Sequence, residues 1–414
     1  MHKSTLFVDI RNSMVLQLLT TFLIYVQVPL LISLLTTEKY GIWTTILSSV
    51  VVLGNLDLGI SNTVKNQITA HFSLGDYKRY FSVFQEGVVR HIKYSLLFLA
   101  VGTIILTLIY ITTDKYNFDI FLTIFFVLSG WSIDYVFKSV LLAYSAQQKN
   151  YTIQFSQFSI NLIYLVLVLF LNKDTKLVDF SLLFSSVAPL VNGSIFIHFI
   201  YKNQGSLGKW SNVSKVKFTG DLKFLHIQIG MFLLLNMGYL LTLNLLGGLE
   251  VTGLNVVEKY FALTSLFANV ILFPLWSKFT ELNANSDTVK IKLYFLRIER
   301  MLFFLLIAVI IMIFIFDFVL DLWVGTTLNI SFYLVLIIAA KHFFQIANSV
   351  YCYYLNAIGD LKLQVILYYI FGFLNIPLSI LFFRLIGPEG VVFWPSMSMI
   401  VFAALTRNYV RKLL

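Results

Sequence analysis

Nine ionisable residues sit where an apolar chain has little reason to carry charge, and their types suggest the chemistry. Lys259 and Glu258 lie in VEKYF, Lys341 and His342 in IIAAKHFFQIANS, Asp134 and Lys138 in WSIDYVFKS, and Asp57 in NLDLG. Arg11 and Lys65 flank apolar runs. Lysines and arginines inside a water-filled chamber hold an anionic group such as phosphate or an acidic sugar. Carboxylates and a histidine there can bind a coupling proton or metal cation, or gate. We take Lys259, Lys341, Arg11 and Lys65 as candidate cations for an anionic substrate. Asp57, Asp134, Lys138, Glu258 and His342 are the candidates for gating or cation coupling.

Each has a plainer reading. Lys259 can snorkel to an interface, and Arg11 and Lys65 are indistinguishable from ordinary charges at helix ends. Asp134 and Lys138 are four residues apart, on one helical face, so they can simply neutralise each other. Glu258 and Lys259 are adjacent, about 100° apart, and do not pair directly. Asp57 can line a cavity, bind a coupling cation or hold helices together. Amides such as Gln27, Asn161 and Asn236 suit sugar hydroxyls or bonds between helices, and Trp43, Trp131 and Tyr135 can stack on sugar rings.

Covalent chemistry has no foothold. The six histidines show no metal-ligand spacing, no phosphate-binding Gly-rich loop of the ATPase type is present, and Cys352 is the single cysteine. We expect a transporter and not an enzyme, with no metal and no cofactor beyond a coupling H+ or Na+.

The elements that must carry these residues are membrane helices. The 414 residues are 58% hydrophobic and only 12% charged, with mean hydropathy +0.84; soluble domains carry about 25% charge. Twelve apolar runs are long enough to span a bilayer: 12–35, 40–62, 92–112, 119–145, 152–172, 178–201, 222–246, 251–277, 298–322, 329–356, 362–384 and 388–406. The N-terminal stretch runs straight into the first span and reads as a helix, not a cleaved leader. Of the 30 Lys and Arg, 22 then fall on one side, five on the other and three (Lys138, Lys259, Lys341) within spans. The positive-inside rule puts both termini in the cytoplasm. The net charge of +10 belongs to this asymmetry and not to nucleic-acid binding. Residues 77–90 place Tyr77, Tyr80, Phe81, Phe84 and Val88 at helical spacing, as in an amphipathic helix on an anionic leaflet or a basic solvated loop.

The chain also matches itself at nearly half its length. Glu38 and Gly41 pair with Glu250 and Gly253 at an offset of 212; Lys65 pairs with Lys278 at 213; Asp76 with Asp287 and Ala146 with Ala357 at 211. Six spans per half give two lobes of the same orientation, related by a pseudo-two-fold along the membrane normal. We expect an all-α polytopic protein of about 12 transmembrane helices, with lobes 1–207 and 208–414 and a substrate site between them.

The stretch Leu34–Asp76, with its acidic turn before Tyr40-Gly41-Ile42-Trp43, then Leu56-Asp57-Leu58-Gly59 and a close on Gly75-Asp76, resembles the second helix and following loop of Wzx-type oligosaccharide repeat-unit flippases. These belong to the multidrug/oligosaccharidyl-lipid/polysaccharide exporter superfamily. The resemblance implies movement of a polyprenyl-pyrophosphate-linked oligosaccharide from the inner to the outer leaflet of the bacterial cytoplasmic (inner) membrane. It implies alternating access, a role in O-antigen (lipopolysaccharide) or capsule biosynthesis, and as partners the bilayer lipid, a polysaccharide polymerase and a chain-length regulator. A membrane glycan polymerase or ligase is the alternative of another class, but its catalytic groups would need a sizeable outer loop, and these loops are short. A cation-coupled drug exporter of the same fold is the nearer alternative; Lys259 and Lys341 weigh against it.

Overall fold

A chain this apolar must satisfy every backbone N–H and C=O internally wherever it meets hydrocarbon, which leaves helices or a closed barrel. The computed structural model describes residues 3–54, 60–112, 117–147, 149–172, 175–208, 222–272, 275–284, 287–325 and 328–414, and among these it is helical throughout with no strand. Among the described residues, nine helical segments are long and apolar enough to cross a membrane, or ten if one bent pair counts as a single span. The all-α polytopic expectation holds. The chain divides into two compact units, Met1–Leu225 and His226–Leu414.

In the first unit the helices are α1 (Lys3–Leu35), α2 (Thr37–Gly54), α3 (Ile60–Ser73), α4 (Tyr77–Thr112), α5 (Phe118–Phe137), α6 (Ser139–Ala146), α7 (Asn150–Phe170) and α8 (Leu177–Lys202). The second has α9 (Leu222–Met231, which straddles the division), a π segment (Phe232–Asn236), α10 (Met237–Leu245), α11 (Gly248–Leu272), α12 (Leu275–Ala284), α13 (Thr288–Phe314), α14 (Phe316–Val324), α15 (Phe332–Ile358), α16 (Lys362–Ile386) and α17 (Gly390–Leu413). The residues paired by the internal repeat occupy equivalent positions. Glu38 and Glu250 stand in the first turns of α2 and α11. Asp76 and Asp287 immediately precede α4 and α13, and each accepts a hydrogen bond from the backbone three residues on, Arg79 N at 3.0 Å and Lys290 N at 3.1 Å. These are capping contacts at the same place in both halves.

Residues 77–90 differ from either sequence reading. They are the first turns of the 36-residue α4, continuous with its apolar span. Tyr80, Phe81, Phe84 and Val88 pack against Val64 and Ile68 of α3 and Val140, Leu141 and Ala143 of α6. Apart from Tyr77, which is exposed, the apolar stripe is therefore covered by protein: α3 lies alongside it, and a sequence window does not reveal a neighbour that supplies the complementary face.

Among the described residues, three helical runs are interrupted. Lys138 separates α5 from α6. Ile315 separates α13 from α14, which bend by 65°. In the second unit the π segment frees carbonyls from the regular ladder, and Asn375 of α16 covers two of them, donating through Nδ2 to Leu233 O at 2.7 Å and Leu234 O at 3.4 Å. Pro29, Pro189, Pro377 and Pro395 all lie inside helices; Pro274 lies outside the described residues.

Packing in the first unit is closest where α5 crosses α8. Gly130 has no room for a side chain, since a Cβ there would run into the carbonyl and Cβ of Ser185. Small residues at such crossings let helices approach where the hydrophobic effect contributes little. Gly130→Ala is expected to destabilise the protein by about 1–3 kcal/mol through overpacking. Gly253→Ala, whose Cβ would meet only Ile330 Cγ1 at 3.7 Å, should leave the thermal transition near that of the parent. Scanning fluorimetry of the two purified variants checks the contrast.

Candidate functional site

Helix α5 carries the first cluster. Asp134 and Lys138 do pair across one turn, Lys138 Nζ to Asp134 Oδ2 at 2.8 Å. The carboxylate is 4% exposed and the ammonium 41%. Burying a carboxylate is tolerable only when its oxygens are satisfied, and here the second oxygen is taken as well. Asn192 Nδ2 on α8 donates to Asp134 Oδ1 at 2.6 Å, and Ser156 on α7 donates to Asn192 Oδ1 at 2.5 Å. The chain Ser156–Asn192–Asp134–Lys138 thus ties α7, α8 and α5 together and leaves the lysine's head partly open.

Two clefts of the first unit meet at that head. One, about 410 Å³, is lined by Asp134, Lys138 and Gln157 together with Trp131, Tyr164 and Asn161. The other, about 270 Å³, is lined by Lys138 and Gln157 again, with Lys65, Ser61, His91 and Tyr135. Lys65 is exposed on α3. His91 is buried; its Nδ1 lies 2.7 Å from Gly87 O, an acceptor, so Nδ1 carries the proton. Its Nε2 then accepts from Ser61 Oγ at 3.2 Å, and Ser61 Oγ also lies 3.4 Å from Tyr135 OH. Tyr135 stacks on Trp131, ring centroids 4.9 Å apart and 21° from parallel. One cleft is thus cationic, and its neighbour is lined by rings and amides.

The second unit has a different arrangement on its equivalent helix, α15. Glu258 of α11 binds Lys341 Nζ through Oε1, and His342 Nε2 lies 2.8 Å from its Oε2. Lys341 and His342 are 6% and 8% exposed. One carboxylate therefore holds two basic groups from a neighbouring helix, and His342 Nδ1 is buried without a hydrogen-bond partner among the described residues. Lys259, the next residue along α11, is half-buried.

Of the nine expected residues, the structure brings Lys65, Asp134 and Lys138 to one pair of clefts and Glu258, Lys341 and His342 into one triad. Arg11 is exposed, within reach of Asn12 Oδ1. Asp57 lies outside the described residues. Sequence reading missed Ser61, His91, Ser156 and Asn192. None sits at a spacing that marks chemistry; they come together only when α3, α4, α7 and α8 close on α5.

No protein-family model and no curated protein sequence matches this chain. Solved structures do match in fold. An inward-facing multidrug resistance MATE family transporter of the MOP superfamily aligns with a TM-score of 0.71 at 12% identity, over 97% of this chain and 94% of that one. An outward-facing member aligns at 0.64 and 12%, over 98% and 95%. A Vibrio cholerae MATE transporter aligns at 0.64 and 14%, over 99% and 96%. The chain has the fold of these transporters along essentially its whole length.

Proposed function

We propose that this chain is a flippase that carries polyprenyl-pyrophosphate-linked oligosaccharide repeat units from the cytoplasmic to the outer leaflet of the bacterial cytoplasmic membrane, for O-antigen or capsule assembly. One observation carries the reading: the adjoining clefts of the first unit, cationic at Lys65 and Lys138, and aromatic and amide-lined at Trp131, Tyr164, Asn161 and Gln157. Such a substrate has two phosphates, a polar sugar head and a long apolar tail. The ammonium groups suit the pyrophosphate, the flat rings and amides suit sugar faces and hydroxyls, and the tail stays in lipid while the head crosses about 30 Å of hydrocarbon. The chemistry is binding and release, with no covalent step.

Alternating access fits a fold whose solved neighbours include inward-facing and outward-facing forms. Glu258 with Lys341 and His342 is the coupling element on this reading. On this reading, protonation of the carboxylate by H+, or its occupation by Na+ as a competing cation, loosens both bases from it. Both termini then lie in the cytoplasm, and a polymerase and chain-length regulator take the product. Cation-coupled drug export is the second reading, favoured by the multidrug transporters among the fold neighbours.

Deleting the gene and complementing it separates them. The deletion strain is expected to lose surface glycan and accumulate lipid-linked repeat units inside, with susceptibility to cationic drugs unchanged. Intact glycan together with drug hypersensitivity that the parent gene corrects would replace the flippase with the exporter.

A further inference from the structure

A second charged cleft, about 300 Å³, lies in the second unit away from the groups discussed so far. Two helix faces form it. On α13, Lys292, Leu296 and Glu299 follow one another at helical spacing, and Arg411 of α17 and Leu414 just past its end face them. Tyr351 of α15 closes the floor, its hydroxyl donating to Glu299 Oε1 at 3.1 Å.

The charge count is lopsided. Glu299 Oε1 takes Arg407 Nη2 at 3.0 Å and Arg411 Nη2 at 3.1 Å. Two guanidinium groups thus share one carboxylate, and Lys292 lines the same cleft. Lys292 and Arg411 line the cleft, and its one acidic side chain, Glu299, is shared with Arg407 as well. Glu299 is 26% exposed, while the side chains of Arg407 and Arg411 are 44% and 56% exposed. The carboxylate holds both arginines, whose side chains stay largely open to solvent.

The surroundings decide what anion would come. Leu296 lines the cleft and is 55% exposed, and Leu293 beside it is 48% exposed. Both belong to a helix that continues as an apolar span. The cationic cleft therefore borders exposed leucines at the start of a helix whose later turns are apolar enough to span a membrane. A free anion gains nothing from the leucines; a phosphate attached to a lipid gains from both.

We propose that the cleft between α13 and α17 binds the phosphate head of an anionic membrane phospholipid, with Lys292 and Arg411 as its ligands and Leu293 and Leu296 beneath its chains. The assignment does not depend on the transported substrate. Juxtamembrane Lys and Arg contribute about 1 kcal/mol each toward an anionic lipid, or about fivefold in affinity per residue.

The test uses the full-length protein in neutral detergent, titrated with dioctanoyl phosphatidylglycerol and followed by thermal stability. Dioctanoyl phosphatidylcholine and glycerol 3-phosphate are titrated in parallel. Phosphatidylglycerol should stabilise the parent at concentrations where the other two do nothing. Lys292→Gln should shift the midpoint about fivefold higher without changing stability in the absence of lipid, and Arg411→Gln about as much. Because Arg411 also bonds Glu299, Lys292→Gln is the deciding variant. An unchanged midpoint for Lys292→Gln, or equal stabilisation by phosphatidylcholine, would overturn the lipid site. Stabilisation by glycerol 3-phosphate at the same concentration would also overturn it, in favour of a soluble phosphate site.

Discussion

Replacing Glu258 with glutamine is expected to destabilise the second unit by about 3–5 kcal/mol, the usual cost of stripping one partner from a buried ion pair. The variant keeps the shape of the side chain but leaves the Lys341 ammonium, 6% exposed, without its counter-charge. Thermal unfolding of the purified protein should show the loss directly. The double variant Glu258→Gln/Lys341→Met removes the stranded charge and keeps the volume, so stability should return to within about 1.5 kcal/mol of the parent. That double variant separates structure from function. If the triad couples an ion to movement, the refolded protein stays inactive in glycan display; if the triad only holds α11 to α15, display returns with stability. A Glu258→Gln single variant that unfolds at the parental temperature would show that the pair contributes nothing.

The second large effect concerns Lys65 and Lys138. Both line one cleft; on the proposed function each meets a phosphate oxygen there, and a hydrogen bond to a charged group is worth about 1.5–3 kcal/mol. At limiting substrate, Lys65→Gln should therefore lower the rate of repeat-unit translocation in proteoliposomes by about 10–100-fold. Lys138→Gln should do at least as much, and the pair together more. Lys65 is exposed and its replacement should leave stability unchanged, so its effect reads on binding alone. Lys138→Gln also takes the counter-charge from Asp134, whose carboxylate is 4% exposed; Lys138→Arg should retain both stability and most of the rate. Translocation by Lys65→Gln at the parental rate would remove the cationic cleft from the substrate's path.

Some of this was legible in the residue string. Long apolar runs give helices because the bilayer offers the backbone no other partner. Asp134 and Lys138 declared their pairing through a four-residue spacing, which is a local property. The Glu258–Lys341 pair was not legible: 83 residues separate the two, and nothing near either names the other. Lys341 read as a charge in search of a ligand, when a neighbouring helix already supplied one. Arg407 and Arg411 carried the opposite ambiguity. Both follow the last apolar run, and the structure adds that they grip Glu299 from more than 100 positions away. Residues 77–90 show the same limit for apolar patterns, since a stripe looks identical whether lipid or α3 covers it.

The π segment has a geometric consequence for the helix that contains it. A wide turn stores one residue more than an α turn over the same rise, and an α-helix advances about 100° per residue. Smoothing Phe232–Asn236 into regular α would turn every later side chain of that rod by roughly a quarter of a circle. Tyr239, now the acceptor for Asn255 Nδ2 at 3.2 Å, would swing off its mate, and Asn375 would lose the loose carbonyls it now covers. By covering those carbonyls, the amide of Asn375 holds the span in the register seen.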